Sequence, residues 1–231
     1  MGERPLIMSY QPIAVGQMKN KELVIDSAFK NLIDRSSLVG DLLRKETDRG
    51  CALVAGAALD EVLAGLLTVY LLKDKEIIKA LFDNANAPIS TFSARIWLCR
   101  GIGLISKELC HDIDSVRHIR NHAAHFESRK GHGHDFSFDR QDVVDRCRGL
   151  RSLPVTYISQ STPRFIFELF VGITAGCLGE HAKNWKLVAD NLGDSAAREC
   201  MLKGVPTIDI RGHIQKILDT GRVPNVGRKD H

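Results

Sequence analysis

An all-α helical bundle is the fold class this sequence predicts, and three observations predict it. Apolar residues recur at three- and four-residue spacing through most of the chain. Proline is scarce, at 7 of 231 residues, which argues against many short strands joined by proline-rich turns. Two segments, near 51–72 and 164–181, are long and apolar, as expected of buried helices round which a bundle is built. With 44% apolar and 26% charged residues, the chain is neither wholly disordered nor a fibre. At 231 residues it is long enough to bury a sizeable core, and one domain is the simplest organisation.

Residues 1–20 hold Pro5, Pro12 and Gly16 without periodicity and read as a loose N-terminal arm. From Glu22 to Lys45 the residues Leu23, Phe29, Leu32, Ile33, Leu38, Leu42 and Leu43 form a helical stripe, with a break near Ser36–Ser37. Asp48 is the expected cap of the next helix, which runs to about Leu72 and is apolar nearly all round. A short helix follows over Lys75–Phe82, then a loop over Asp83–Pro88. Ser90 is the expected cap of a helix to about Arg100, ended by Gly101 and Gly103. Ser106, with Leu109 and Asp112, starts a helix that runs to about Glu127. Residues 128–138 (SRKGHGHDFSF) are a loop. Asp139 is the expected cap of a helix to about Leu150. Pro154–Pro163 reads as a connection with a short extended piece, and the long apolar helix begins near Pro163, running to about His181 with an extension to Ala189. Amphipathic pieces near Ser195–Lys203 and Thr207–Leu218 and a slightly basic tail, 220–231, complete the chain.

A net charge of +4 is compatible with a polyanionic partner without calling for one. The six cysteines are Cys51, Cys99, Cys110, Cys147, Cys177 and Cys200. No two lie within ten residues, so no CxxC pair exists, and they read as reduced core thiols. The first twenty residues lack the basic-then-apolar pattern of a secretory signal. Cys51–Leu72 is long enough to span a bilayer, but Asp60 and Glu61 interrupt its centre at about 3 kcal/mol each, so a core helix is expected. The expected location is the cytoplasm, with no membrane association.

The most informative stretch is Asp112–Phe126, DIDSVRHIRNHAAHF. At 100° per residue, Val116, Ile119, Ala123 and Phe126 form an apolar face. The opposite side collects Arg117, His118, Asn121, His122 and His125, with Arg120 at the border. Arginine supplies a permanent charge and a fork of donors, the amide further donors, and histidine a proton near neutrality. Arg117, Arg120 and His122 are therefore candidates for holding a phosphate or nucleic acid. The same set suits metal-free RNA cleavage, in which a base deprotonates the ribose 2′-hydroxyl and an arginine stabilises the phosphoryl oxygens. The bland alternative is a solvated face, or one that pairs with Asp and Glu of neighbouring helices. His118, His122 and His125 have chelating spacing, yet no HExxH is present and two flanking arginines oppose a cation. No metal and no cofactor is expected, and no Walker or dinucleotide motif occurs. Asp60 and Glu61 need a cationic partner or a wet side, with Arg95, Arg117 and Arg120 as candidates. Either they orient an arginine near the polar face or they form a structural ion pair.

The segments RGCALVAGAALDEVLAGLL (49–67), LFDNANAPISTFSARIWLCRGIGLIS (81–106), DIDSVRHIRNHAAHF (112–126), FSFDRQDVVDRC (136–147) and PRFIFELFVGITAGCL (163–178) resemble, in order and spacing, the mannitol operon repressor family. The resemblance covers residues 25–185, about 70% of the chain. It implies an all-helical bacterial transcriptional regulator, a repressor. No winged-helix or helix-turn-helix reading head is evident, so protein–protein contact or weak nucleic-acid binding is the expected mode of action. Arg120, Asn121 and His125 also fit the Arg–x4–His pattern of HEPN domains. That likeness implies a HEPN-like, dimeric helical fold in which these three residues would form a ribonuclease site. The expected layout is an arm over 1–20, a repressor-like helical domain over 21–190, a helical extension over 191–219 and a tail over 220–231. The expected partners are a second copy in a homodimer, a regulatory protein and, as a further candidate, nucleic acid.

Overall fold

The computed structural model describes residues 38–71, 74–83, 86–125, 136–192, 207–208 and 210–212, with 187–192 as backbone. The expected arm, tail and 195–203 helix lie outside the described residues, as do His132, His134, Phe126, Cys200 and all of the 22–45 stripe before residue 38. The described chain is all-α. Helix α1 covers 38–44, α2 Asp48–Tyr70, α3 Lys75–Phe82, α4 Phe92–Gly101, α5 Lys107–Ala124, α6 Gln141–Arg148, α7 Val155–Gln160 and α8 Pro163–Leu192. No strand occurs among the described residues, only one isolated parallel bridge between Ile105 and Ile208.

Several helix starts differ from the sequence expectation, each for a local reason. Thr47, not Asp48, caps α2: its backbone is extended and its hydroxyl accepts the Gly50 N–H at 3.1 Å. Asp48 sits in the first turn, where its charge suits the helix N-terminus and its oxygens are taken by Arg164 and the Phe138 N–H. Thr91, not Ser90, caps α4, because the Ser90 hydroxyl donates instead to the Ala87 carbonyl. Asp139 does not cap α6; the cap position falls on Arg140, which makes no side-chain cap bond. That helix ends at Arg148, and Gly149 follows. The segment after Pro154 is not extended but forms α7, with proline's fixed φ placed just before the first turn. Ser106 caps α5 as expected, accepting the Leu109 N–H at 3.1 Å. Helix α5 stops at Ala124, short of Glu127, where His125 turns to ψ 96°.

The bundle packs around α2 and α8, with α5 and α4 against α2, and α6 and α7 against α8. Phe167 and Phe170 of α8 meet Leu59, Leu63, Leu66 and Leu67 of α2, Ile96 of α4 and Ile113 of α5 in one core. Each such fully buried side chain contributes about 1.5–3 kcal/mol. From Ile166 to Leu178 all but Leu169 are buried, whereas α2 exposes a stripe of Val54, Ala57, Glu61, Gly65 and Thr68. Helix α2 is thus less enclosed than its composition predicts. By length and composition α2 and α8 could each cross a bilayer; here both serve the bundle.

Two polar fixtures lock the layers. Arg164 donates to Glu168 at 2.8 Å, Asp48 at 2.6 Å, and the Leu43 and Glu46 carbonyls, tying α8 to the α1–α2 junction. Asp112 of α5, fully buried, accepts both the Arg151 and Ser152 N–H groups, the latter at 2.7 Å. It thereby pins the α6–α7 connection.

Cys51, Cys99, Cys110, Cys147 and Cys177 are buried, and no disulfide joins them. Burial pushes Cys51, Cys99 and Cys147 up to about 12 from an ordinary 9.0. These raised values add stability that is complete below the unfolded value near 9 and declines as pH rises towards 12. Iodoacetamide at about pH 8 should label these thiols slowly in the native chain and rapidly in urea. Rapid native labelling of Cys51, Cys99 or Cys147 would contradict their burial.

Candidate functional site

Helix α5 forms because Leu109, Ile113, Val116, Ile119 and Ala123 repeat on one face, and all five are buried. The opposite face is left to polar residues. Arg117 and Asn121 are half-buried; His118, Arg120, His122 and His125 are exposed. The structure therefore gathers the polar residues at the C-terminal end of α5, with Arg120 at the border against α2.

Their contacts differ. Asp114, one turn back, holds Arg117 Nε at 2.7 Å and lies 3.4 Å from His118 Nε2. His122 Nδ1 is 2.8 Å from Asp142 of α6, and its ring meets the Phe136 ring edge-on. Asp142 also receives Arg140 at 3.3 Å. Three of the face's basic side chains, Arg117, His118 and His122, thus already have carboxylate neighbours. Arg120 does not: its Nη1 donates to the Asn121 side-chain oxygen at 3.0 Å, and among the described residues no carboxylate lies within ion-pair distance. His125 follows at the C-cap, its N–H bonded to the Asn121 carbonyl.

Arg120 owes its position to Gly56 of α2. A Cβ built on Gly56 would come within 2.5 Å of Arg120 Cγ and 2.8 Å of its Cβ. The arginine stem therefore lies directly on the α2 backbone while its head reaches out beside Asn121. Cations at a helix C-terminus gain about 0.3–1 kcal/mol from the dipole, so part of this charge serves the helix itself.

Asp60 and Arg95 are brought together. Arg95 Nη1 meets Asp60 at 2.7 Å, Nε donates to the Ile89 carbonyl at 3.0 Å, and Nη2 reaches Ser90. Its guanidinium also lies 5.7 Å from the Phe82 ring centre. The pair clamps residues 89–90 to α2, the contacts expected of a structural ion pair. Glu61 points to solvent on the exposed stripe of α2. His118 and His122 turn to different aspartates, and no metal-sized group of three His, Cys, Asp or Glu occurs among the described residues.

Sequence reasoning missed Asp114, Asp142 and Gly56. Asp114 was readable from its three- and four-residue spacing to Arg117 and His118. Asp142 and Gly56 act from other helices, and nothing local marks them.

Fold and face together define an all-α bundle presenting one arginine- and histidine-bearing helix surface. Comparison of the chain with family models, curated proteins and solved structures finds no match.

Proposed function

We propose that the chain is a cytoplasmic transcriptional regulator of the mannitol-operon-repressor type, with a HEPN-like helical fold. It works as a dimer, and α5 is its contact face for a regulatory protein or, more weakly, for nucleic acid. The observation that carries this reading is Arg120, an exposed guanidinium with no carboxylate partner among the described residues, bonded to Asn121 and on the same helix end as the exposed His125. Such a group suits an acidic protein surface or a phosphate. Arg117 and His122 widen the face, but their aspartate partners lower its net charge, which favours protein contact over a long phosphate track.

Transcript profiling of a strain lacking the chain tests the reading. A change confined to a few operons, restored by the wild type and not by Arg120→Glu, is the expected result. Unaltered transcription overturns it. Gel shifts at about 50 and 200 mM salt separate direct from indirect action, because phosphate contacts weaken steeply with salt.

A second reading, a metal-independent ribonuclease, is favoured by the placement of Arg120 and His125, both exposed at one end of α5. His125 would take the 2′-hydroxyl proton, the oxygen would attack phosphorus, and the 5′-oxygen would leave as a hydroxyl, protonated by water, to give a cyclic phosphate, with Arg120 stabilising the charge. Cleavage of total RNA in EDTA should then persist in the wild type and fall by about 10²-fold or more in His125→Ala. Equal cleavage by both proteins removes this reading.

A further inference from the structure

The turn between α4 and α5 carries a second recognition surface. Gly103 takes φ +80°, a conformation that favours glycine, and the chain folds back so that the Leu104 and Ile105 N–H groups reach the Cys99 carbonyl. The Gly103 and Leu104 carbonyls remain to be satisfied from outside. A segment more than a hundred residues away does this: Thr207 Oγ1 donates to the Gly103 carbonyl and the Ile208 N–H to the Leu104 carbonyl, each at 3.0 Å. Ile208 is bridged in parallel with Ile105. Ile208 and Ile210 are 4% and 2% exposed, and Leu104 and Ile105 are fully buried. Residues 210–212 are helical. The attachment thus combines backbone pairing with two aliphatic anchors two residues apart, which is how a sheet edge takes up a peptide.

We propose that the α4–α5 turn is a peptide-docking site and that Thr207–Ile210 is its resident occupant, a strap able to leave and return while the bundle stays folded. Among the described residues the strap contributes one bridge, one hydroxyl bond and two buried side chains, whereas most of the core lies on α2, α4, α5 and α8. The site selects a hydroxyl residue followed by β-branched aliphatic residues at the next position and two further on. Because Ser106 caps α5, the strap grips the backbone immediately before the helix that bears Arg120.

The test uses the full chain. In the double variant Ile208→Glu with Ile210→Glu, the anchors are lost and the site opens. A fluorescent peptide of residues 205–218 should bind this variant and bind the wild type about tenfold or more weakly, since the tethered strap competes at high effective concentration. The same peptide with Ile208→Glu should bind neither. A variant with wild-type helical circular dichroism that fails to bind the peptide overturns the proposal. Hydrogen exchange on the unaltered chain decides the matter even if the variant does not fold. The Ile208 amide should exchange about a hundredfold faster than those of Leu63 and Leu66, through local opening. Exchange of Ile208 only with global unfolding overturns the proposal. Neither readout depends on Arg120 or on transcription, so this proposal and the regulator reading fail separately.

Discussion

Replacing Asp112 with alanine should destabilise the chain by about 3 kcal/mol. The carboxylate is fully buried and serves the N–H groups of Arg151 and Ser152, with His111 Nδ1 at 3.1 Å on its outer side. Ser152 and Leu153 are buried while Arg151 is exposed, so of the two freed amides that of Ser152 has little access to water. Losing the acceptor therefore leaves at least one donor desolvated without a partner, which costs more than the net gain of making the bond. Asp112→Asn keeps one acceptor oxygen and should cost about half as much. Urea unfolding followed by circular dichroism measures both. A loss below about 1 kcal/mol for the alanine variant would mean that the α6–α7 connection does not depend on this anchor.

Gly56→Leu should cost about 3 kcal/mol and, at the same time, disturb the α5 face. A Cβ there already meets the Arg120 stem inside van der Waals distance, and those atoms are too near the α5 backbone to swing away. Helix α5 must then move off α2, opening the core between them. Gly56→Ala has a smaller effect, because about 1 kcal/mol of helix propensity offsets part of the overlap. If Arg120 is the contact group, Gly56→Ala should weaken partner or nucleic-acid binding more than its stability loss explains. The paired measurements are a urea curve and a binding isotherm on the same preparation. Leucine at position 56 tolerated within about 0.5 kcal/mol would show that the two helices are not in close contact.

Much of the fold was legible because periodicity reports burial directly. The buried stripe Leu109, Ile113, Val116, Ile119 and Ala123 could be read along the chain, and so could the polar residues opposite it. Helix existence was more legible than helix starts. Choosing among Thr47, Asp48, Ser90, Thr91 and Asp139 as caps depends on which side chain has a competing partner. Asp48 is drawn to Arg164, a residue 116 positions away. Helix α7 was hidden because a six-residue helix carries too little periodicity to outweigh its flanking prolines. At the candidate site, the residues of α5 could be placed on one face, but which of them stay unpaired could not. That depends on Asp142 from α6 and on the glycine gap in α2. Asp112 did leave a trace, since an aspartate on an otherwise apolar stripe implies internal donors.

Arg164 has one more consequence. A single side chain there fastens the beginnings of two long helices and the bend ahead of the second to one knot. Fraying from that end would strand two carboxylates and a pair of carbonyls together, so separation there is concerted. The fifth helix finishes near this same end: the His122 ring meets Phe136, and two residues on the Phe138 N–H binds Asp48, which Arg164 holds. The surface offered to a partner is therefore braced by the stiffest junction of the bundle, so a load applied there is carried into both long helices at once.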